Sequence, residues 1–337
     1  MRARSTHCCV GRRSRAISRP PSRRLRKPAM PANADATRVH GWVILDKPLS
    51  LTSARAVAVV KRAFGADKAG HAGTLDPLAT GVLPIALGEA TKTVPFIVAD
   101  TKLYRFTVAW GEARTTDDAE GDVIARSDRR PSADEIRSVL PRFIGAISQR
   151  PPDFSAIKVA GKRAYALARA GSATGLAARP VEVRSLNLVA IPDRDHAVFE
   201  AEVGPGTYVR SLARDLGEAL ETHGFVTDLR RLAVGRFTLK QAISLDNLAA
   251  LGHSPAASGH LLPLETALDD IPALALTEDQ AKALRCGRAV TPLRAQDWAC
   301  LSQIGNGATV CATLGGKLVA LAEVAAGGIR PLRVLNI

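Results

Sequence analysis

The sequence has few of the residues that bind metals or form disulfides. Its 337 residues include five cysteines, at positions 8, 9, 286, 300 and 311, without a CxxC pair or a histidine at zinc-finger spacing. This pattern predicts no metal site. The odd number of cysteines and the lack of a secretory hydrophobic segment favour a reducing compartment, so we expect a cytoplasmic protein. No stretch approaches about 18 uninterrupted apolar residues, and we expect neither a transmembrane helix nor a membrane partner.

Aromatic residues and phosphate-binding motifs are also scarce. Aromatic side chains make up 4% of the chain, and no GxxxxGK sequence is present. These absences argue against a sugar-binding aromatic platform and against a P-loop. The chain does have length and apolar content. Hydrophobic residues make up 46% of it, which is enough for one large core or for a large and a small domain.

Positive charge is abundant but unevenly distributed. The formal net charge is +14, yet residues 1–29 contain ten lysines and arginines and no acidic residue, which leaves +4 for residues 30–337. We therefore expect residues 1–38 to be a disordered basic tail. Its composition fits an RNA-binding arm, an organelle-type presequence, or sequence upstream of a start at Met30, and we favour a dispensable tail. Any RNA groove elsewhere must come from local clustering of charge.

The most informative segment runs from Gly70 to Lys92 and reads GHAGTLDPLATGVLPIALGEATK. Its glycines allow tight turns or a close approach to a ligand, and Pro77 restricts Asp76 to an extended conformation. Apolar neighbours form a floor beside this carboxylate, and a carboxylate in such a setting can act as a nucleophile or as a general acid or base. The alternative is that Asp76 only hydrogen-bonds its own turn.

This segment closely resembles the catalytic motif of the bacterial tRNA pseudouridine-55 synthases, the TruB family. The similarity extends from Gly41 to Phe237 and, more weakly, to the C-terminus. The resemblance implies an α+β pseudouridine synthase fold over residues 39–250, with a mixed, mostly antiparallel sheet flanked by helices and loops. A small β-rich domain over residues 270–337 resembles the PUA RNA-binding domain in its position and size.

The family isomerises uridine 55 in the T-loop of tRNA to pseudouridine, after the base has been flipped out of the RNA fold. The resemblance therefore implies that tRNA, bound through its T-arm, is the partner. It implies no metal or organic cofactor and no obligatory protein partner, and we expect a monomer.

Three residues are predicted to be catalytic by their match to the family: Asp76, Tyr104 and Arg210. Asp76 is the catalytic carboxylate, and it could attack C1′ or the base, or remove a sugar proton. The sequence does not choose among these three routes. Tyr104 could stack on the flipped base and serve a late proton transfer, while Arg210 pairs with the carboxylate and aims it.

Five further residues are assigned to substrate binding by the same match: Lys47, Pro48, His71, Tyr208 and Leu229. His71 is expected to stack within the T-loop and to help extrude the target base. For each tyrosine the alternative is core packing with a satisfied hydroxyl, although two of the three tyrosines in the chain occupy matched positions.

Other basic residues have weaker assignments. Residues 150–180 carry a net charge of +5 and include a hairpin pattern, KVAGKR, and a short helix ending at Gly171. They resemble the family's thumb, which clamps the T-loop, and a solvated basic surface is the alternative. Lys92 is a weak candidate for a phosphate contact. Arg230 and Arg231 fit RNA contacts and ion pairs within the fold equally well.

Local patterns predict individual helices. Ser53 is a plausible N-cap for a helix that stops at Gly65, and residues 132–135 form a capping-box pattern. A further helix is predicted from Val209, with Gly224 as its end.

Strands are predicted for residues 101–111 and, as a pair, for residues 181–203, because apolar and polar side chains alternate there. Residues 240–270 are expected to be a connector. Four β-like runs are predicted after Ile271: WACLSQIG, ATVCATL, KLVALAEV and IRPLRVLNI.

Three alternative functions fit parts of the sequence. An RNA-guided relative of archaeal and eukaryotic type would share the Asp76 loop but need partner proteins, and the bacterial-like thumb argues against it. A tRNA-folding chaperone that only binds RNA would not need the intact catalytic set. A retaining glycosidase would need a second carboxylate about 5 Å from Asp76, and Asp117, Asp118 and Glu120 are candidates in a polar loop.

Overall fold

The structure is a computed structural model, and it describes residues 39–159, 161–251, 259–291, 301–325 and 327–337. The predicted tail, residues 1–38, lies outside the described residues. None of the helices within the described ranges is long and apolar enough to cross a membrane. The domain boundaries expected near residues 250 and 270 remain predictions.

Strands dominate the described part of the chain. In chain order they are β1 (Gly41–Lys47), β2 (Ala69–His71), β3 (Ala79–Leu87), β4 (Lys102–Trp110), β5 (Glu112–Arg114), β6 (Val123–Arg126), β7 (Gly145–Gln149), β8 (Lys158–Val159), β9 (Lys162–Arg163), β10 (Arg179–Asp193), β11 (His196–Val203), β12 (Gly224–Val234), β13 (Phe237–Thr238), β14 (Ile243–Ser244), β15 (Ala273–Ala275), β16 (Thr309–Leu314), β17 (Lys317–Ala325) and β18 (Gly328–Val334). The α-helices with defined bounds are α1 (Ser53–Ala63), α2 (Val94–Val98), α3 (Ala133–Val139), α4 (Ala164–Arg169), α5 (Val209–Ala219), α6 (Leu245–Leu251) and α7 (Glu278–Arg285).

Ten strands form the large sheet that carries the site. Eight of them lie in the order β14-β1-β3-β12-β4-β11-β10-β7, while β13 pairs with β12 and β2 pairs with β3. In this sheet β1 runs parallel to β14 and β3 runs parallel to β12, and the other described pairs are antiparallel. The prediction of a mixed, mostly antiparallel sheet flanked by helices is therefore confirmed.

Strand β1 is buried on both of its faces. Val43 and Leu45 pack into a core with helices α1 and α5, whereas Trp42 and Ile44 pack into a second core on the opposite face. Successive side chains of a strand point to opposite faces, so an uninterrupted apolar run such as WVIL requires cover on both sides. The C-terminal part of the chain provides the second cover, because Leu321 belongs to the same core.

The C-terminal part is a four-stranded sheet in the order β15-β16-β17-β18, with helix α7 packed on it. This confirms the predicted β-rich region, while its PUA-like identity remains a prediction. The β-strand expected in WACLSQIG is wrong for residues 301–304, which are helical, and its first three residues lie outside the described ranges. Leu301 and Ile304 face the C-terminal core at i,i+3 spacing, which is a helical period.

Two predicted helix ends differ from the structure. The N-cap of α1 is Thr52, whose Oγ1 accepts a hydrogen bond from Arg55 N at 3.2 Å, and Ser53 is the first helical residue. Helix α5 ends at Ala219, and Gly224 instead opens β12. A Cβ at Gly224 would lie 2.6 Å from Ala213 O, so the glycine serves close packing between helix and strand.

The remaining local predictions are mostly confirmed. The capping box at residues 132–135, the KVAGKR hairpin and the pairing of β10 with β11 are all present. Residues 240–270 are more than a connector, because they contain β14 and α6. Strand β14 extends the large sheet by pairing with β1, and α6 packs beside it.

Candidate active site

A cavity of about 280 Å³ opens where the loop before β3, strand β4 and the start of α5 meet. Five of the eight predicted site residues line it: Asp76, Tyr104, Tyr208, Arg210 and Leu229. These residues are spread over more than 150 positions of the chain, and the sheet brings them together. The volume lies just below the range of about 300–1,000 Å³ typical of small-molecule sites, which suits a single nucleoside.

Main-chain contacts hold the Asp76 loop in place. Ser53 Oγ donates to Leu75 O and accepts from Leu75 N, both at 2.9 Å. On the other side of the carboxylate, Pro77 O accepts from Ser50 N at 2.9 Å. The loop is therefore fastened to the start of α1 on both sides of Asp76, whose side chain remains 38% exposed. Its position does not depend on the carboxylate, which leaves that group free for other contacts.

The Asp76 carboxylate pairs with a buried arginine. Arg210 Nη2 lies 2.9 Å from Asp76 Oδ2, and the arginine side chain is only 5% exposed. Its Nη1 donates to Thr116 O at 2.8 Å and its Nη2 donates to Phe154 O at 3.0 Å. A planar guanidinium held by several acceptors has a fixed orientation, and it fixes its carboxylate partner in turn. Within the described chain, Asp76 thus faces Arg210 rather than its own turn.

Asp118 is a second carboxylate beside the same arginine. Its Oδ2 lies 3.5 Å from Arg210 Nε, and its Oδ1 accepts from Thr116 Oγ1 at 2.5 Å and from Glu120 N at 3.1 Å. The sequence pointed to Asp118 only as a possible glycosidase acid. In the structure, the guanidinium is ion-paired with both Asp76 and Asp118, an arrangement that orients one arginine rather than one that passes protons between two acids.

The neighbouring acid, Asp117, pairs with an arginine of α5. Asp117 Oδ2 lies 2.9 Å from Arg214 Nη1. Burial raises the pKa of Asp117 to about 6, although the positive charges of Arg214 and Arg210 oppose the rise. Asp117 does not line the cavity, and we assign it to the packing of the acidic loop on α5.

The floor of the cavity is built by β12 and its two neighbours in the sheet. Leu229 pairs with Ala79 of β3 on one side and with Phe106 of β4 on the other, while Arg231 pairs with Tyr104. Strand β12 therefore joins the Asp76 loop to the strand that carries Tyr104. Tyr104 is partly buried and packs against the first core, so its ring has a firm backing.

Arg230 and Arg231 are both paired within the fold. Arg231 is 1% exposed, and it donates from Nε to Val82 O at 2.8 Å and from Nη2 to Gly73 O at 3.1 Å. Arg230 Nη2 lies 2.7 Å from Asp46 Oδ2. These contacts favour the second of the two interpretations left open by the sequence. Arg231 lines the cavity and braces the loop that carries Asp76.

Tyr208 lies immediately before α5, where its backbone is fixed by one side chain. Gln149 Oε1 accepts from Tyr208 N at 2.8 Å, and Gln149 Nε2 donates to Tyr208 O at 3.2 Å. The guanidinium of Arg179 lies 5.6 Å from the centre of the Tyr208 ring. Tyr208 is thus held at the cavity wall by Gln149 of β7 and Arg179 of β10, at the two ends of the thumb-like segment.

Lys47, Pro48 and His71 do not line the cavity. Lys47 is fully buried and donates to Pro48 O at 3.0 Å, Leu51 O at 2.8 Å and Pro77 O at 3.4 Å. The substrate contact predicted for Lys47 is not supported, because its amine is hydrogen-bonded to backbone carbonyls, one of them in the loop that carries Asp76. Burial lowers the pKa of Lys47 to about 8, although the charge of Asp76 opposes the change.

His71 lies on β2, beside the loop. Burial, and then the charge of Arg231, lower the pKa of His71, and no partner for its Nδ1 is present among the described residues. Its stacking in RNA remains a prediction. Lys92 is committed elsewhere: its amine lies 2.6 Å from Glu89 Oε2 and 2.6 Å from Val334 O. The phosphate contact predicted for Lys92 is therefore not supported.

Family models match most of the described sheet. Residues 61–209 match the N-terminal domain of TruB family pseudouridylate synthases, and residues 210–269 match the tRNA pseudouridylate synthase B C-terminal domain. The tRNA pseudouridine synthase B of Bradyrhizobium diazoefficiens is 57% identical over 309 residues, covering 90% of this chain and 88% of the relative. The enzyme of the same name from a Caulobacter strain is 53% identical, covering 89% and 97%.

Solved structures agree on the fold. A Cbf5–Nop10–Gar1 complex matches with a TM-score of 0.64 at 26% identity, covering 88% of this chain and 84% of the matched one. An archaeal box H/ACA Nop10–Cbf5 complex matches with a TM-score of 0.66 at 24% identity, covering 87% and 85%. On the sequence match over most of its length and on this shared fold, the chain belongs to the TruB family of pseudouridylate synthases.

Proposed function

We propose that the protein isomerises uridine 55 in the T-loop of tRNA to pseudouridine, with Asp76 as the catalytic carboxylate. The observation that carries the proposal is the 2.9 Å pair between Arg210 and Asp76 at a cavity of nucleoside size. The relatives' names support tRNA as the substrate class, because those proteins are named tRNA pseudouridine synthase B.

The isomerisation breaks the N1–C1′ bond and forms a C5–C1′ bond, while C5 loses one proton and N1 ends with one. The atoms balance without a co-reactant, so the chain has to supply only a nucleophile or base and a path for the proton. Asp76 supplies the first by attacking C1′ or the base, or by removing a sugar proton. The three routes use the same carboxylate in the same place.

The other cavity residues have distinct roles in this proposal. Arg210 aims Asp76 at the sugar and limits its rotation. Tyr104 stacks on the flipped uracil, and its hydroxyl serves the late proton transfer at C5. Leu229 and Tyr208 complete the pocket around the base. Unpairing and unstacking the uridine costs a few kcal/mol, which binding of the surrounding RNA offsets.

The tRNA is held by the thumb-like segment, residues 150–180. Its hairpin β8–β9 and helix α4 expose Lys158, Lys162 and Arg163, and Arg169 lies over the exposed ring of Tyr165 at 5.7 Å. Clustered cations beside an exposed aromatic ring suit the phosphates and unstacked bases of an RNA loop. We extend the proposal to a PUA-like role in RNA binding for the C-terminal sheet.

We further propose that the enzyme works as a cytoplasmic monomer without an obligatory protein partner. The Bradyrhizobium relative named as a tRNA enzyme is 57% identical to this chain, whereas the chain from the Cbf5–Nop10–Gar1 complex is 26% identical, which supports a stand-alone enzyme over an RNA-guided one. A glycosidase is disfavoured because Arg210 is ion-paired with both carboxylates of the would-be pair.

The test uses the purified full chain and an unmodified tRNA transcript, with base-resolved mapping of pseudouridine. We expect one modified position, uridine 55, and none in a matched transcript that carries cytidine there. The Asp76→Asn variant should leave uridine 55 unmodified. Modification at another uridine would reject the assigned position, and full turnover by Asp76→Asn would reject the assigned carboxylate.

A further inference from the structure

Ser155 carries a buried hydroxyl at the wall of the cavity. The residue is 3% exposed and lines the same space as Asp76 and Tyr104. No partner for its Oγ exists among the residues that the structure describes. Buried hydroxyls are normally bonded, since leaving one unpaired costs free energy, so this one calls for an explanation.

Other buried serines in the molecule follow the usual rule. Ser53 Oγ makes two hydrogen bonds with the backbone of Leu75, and Ser211 Oγ donates to Arg150 O at 2.8 Å. Ser155 differs from both because its Oγ has no partner among the described residues, and because the residue belongs to the wall of the cavity. A ligand that enters the cavity can supply the partner that an unpaired hydroxyl at its wall lacks.

The position of Ser155 is fixed by the backbone on either side. The preceding carbonyl, Phe154 O, accepts from Arg210 Nη2 at 3.0 Å. The carbonyl of Ser155 itself accepts from Tyr165 N at 3.0 Å, and Ile157 O accepts from Ala164 N at 2.8 Å. The hydroxyl is thus held between the arginine that aims Asp76 and the first turn of α4.

We propose that Ser155 Oγ hydrogen-bonds the target uridine when that nucleoside occupies the cavity. The inference rests on the proposed function and adds a substrate-contacting residue to it. A hydroxyl donates one hydrogen bond and accepts two, and uridine offers hydroxyl, carbonyl and N–H groups that match either role. Because one short segment joins Arg210, Ser155 and α4, the contact also ties the bound nucleoside to the thumb-like segment.

Loss of the Ser155 hydroxyl should lower activity without lowering stability. The Ser155 hydroxyl has no hydrogen-bond partner among the described residues, so Ser155→Ala should not lower the Tm. It should lower the single-turnover rate of pseudouridine formation by about tenfold, the effect of losing one hydrogen bond to the reacting group. The Kd for tRNA should stay near that of the wild type, because most of the RNA contact surface is untouched.

The matched control is Ser211→Ala, which removes the same atom from a buried serine that is bonded in the free protein. That variant should lower the Tm by about 2–4 °C. A wild-type rate for Ser155→Ala would overturn the proposal, and so would a Tm loss for Ser155→Ala equal to that of Ser211→Ala. The wild-type rate on the same tRNA distinguishes a failure of the Ser155 contact from a failure of the proposed function, because an inactive wild type would reject the proposed function itself.

Discussion

One carboxylate lies near each end of strand β3, and the two differ in their exposure and in their contacts. Asp76, before the strand, is 38% exposed at the cavity and pairs with Arg210. Glu89, after the strand, is 18% exposed and accepts from Lys92 Nζ at 2.6 Å and from Asn336 N at 2.8 Å. The first carboxylate keeps an open side toward the cavity, while the second joins the large sheet to the C-terminus of the chain.

The electrostatics of Glu89 fit a structural role. Burial acts to raise its pKa, but the hydrogen bonds from Lys92 and Asn336 outweigh burial and lower it. When folding lowers the pKa of a carboxylate, the ionised group stabilises the folded state at pH values above the pKa in the unfolded chain. This contribution is lost as the pH falls through the pKa in the folded state. What distinguishes the two ends is the number of side-chain and backbone donors among the described residues. Glu89 accepts from two, Lys92 Nζ and Asn336 N, whereas Asp76 lies against one, Arg210 Nη2.

After the loss of Asp76 itself, the largest effect should come from replacing the arginine that pairs with it at the cavity. Arg210→Lys keeps the positive charge but cannot span two carboxylates and two carbonyls at once. We expect a rate of pseudouridine formation at least about 100-fold lower than that of the wild type, since the carboxylate is no longer held in its reactive orientation. Single-turnover assays at saturating enzyme will measure it, and a loss below tenfold would mean that Arg210 does not aim Asp76.

The contact between the large sheet and the C-terminal part of the chain, to which Glu89 also contributes, should respond in stability instead. Leu321 is fully buried in the core between the large sheet and the C-terminal sheet. Leu321→Ala should lower the free energy of unfolding by about 2–5 kcal/mol, the usual cost of such a truncation. Urea denaturation will measure this change, and the single-turnover rate at 25 °C should stay close to that of the wild type. A large loss of rate in folded Leu321→Ala protein would contradict the assignment of stability to this core and of activity to the cavity.

A smaller effect is expected within the cavity, at Tyr104. Tyr104→Phe retains the ring that stacks on the base and removes the hydroxyl assigned to proton transfer. The rate should fall about tenfold, with an unchanged Kd for tRNA. Tyr165→Phe, on the exposed surface of α4, is the matched control and should leave the single-turnover rate unchanged. Equal effects of the two variants would show that the Tyr104 hydroxyl takes no part in the proton transfer.

The smallest effect concerns Lys47, which braces the Asp76 loop from below. Its amine is charged below its pKa of about 8 and neutral above it, so the amine loses one donor and its attraction to Asp76 as the pH rises. The wild-type rate should therefore fall about threefold between pH 7 and pH 9. Lys47→Met lacks the titrating group, and its lower rate should show no such step. A step retained in that variant would assign the titration to another group.

Much of the cavity could be predicted from the sequence because its central residues lie in recognisable motifs. Asp76 and Arg210 were expected to pair, and they lie 2.9 Å apart. The sequence did not predict the acceptors Thr116 O and Phe154 O, which are 94 and 56 positions from Arg210. Such backbone contacts leave no trace in residue type, because any residue supplies a carbonyl.

Burial was the other property that the sequence could not reveal. Lys47 and Lys92 are charged residues near the Asp76 run, and solvent exposure would have made both of them plausible RNA contacts. The structure instead surrounds each amine with backbone carbonyls, or with a carbonyl and a carboxylate. The helix at residues 301–304 could not be predicted for the same reason. The i,i+3 spacing of Leu301 and Ile304 indicates a helix only when the core that both residues contact is known.

The most direct test of the central claim compares Asp76→Asn with Glu89→Gln, two isosteric changes at the two ends of one strand. Each variant is assayed for its single-turnover rate on tRNA and for its Tm. Asp76→Asn should lower the rate by at least about 10,000-fold with a Tm close to that of the wild type, and Glu89→Gln should lower the Tm while keeping the rate. Substantial pseudouridine formation by Asp76→Asn would contradict the account.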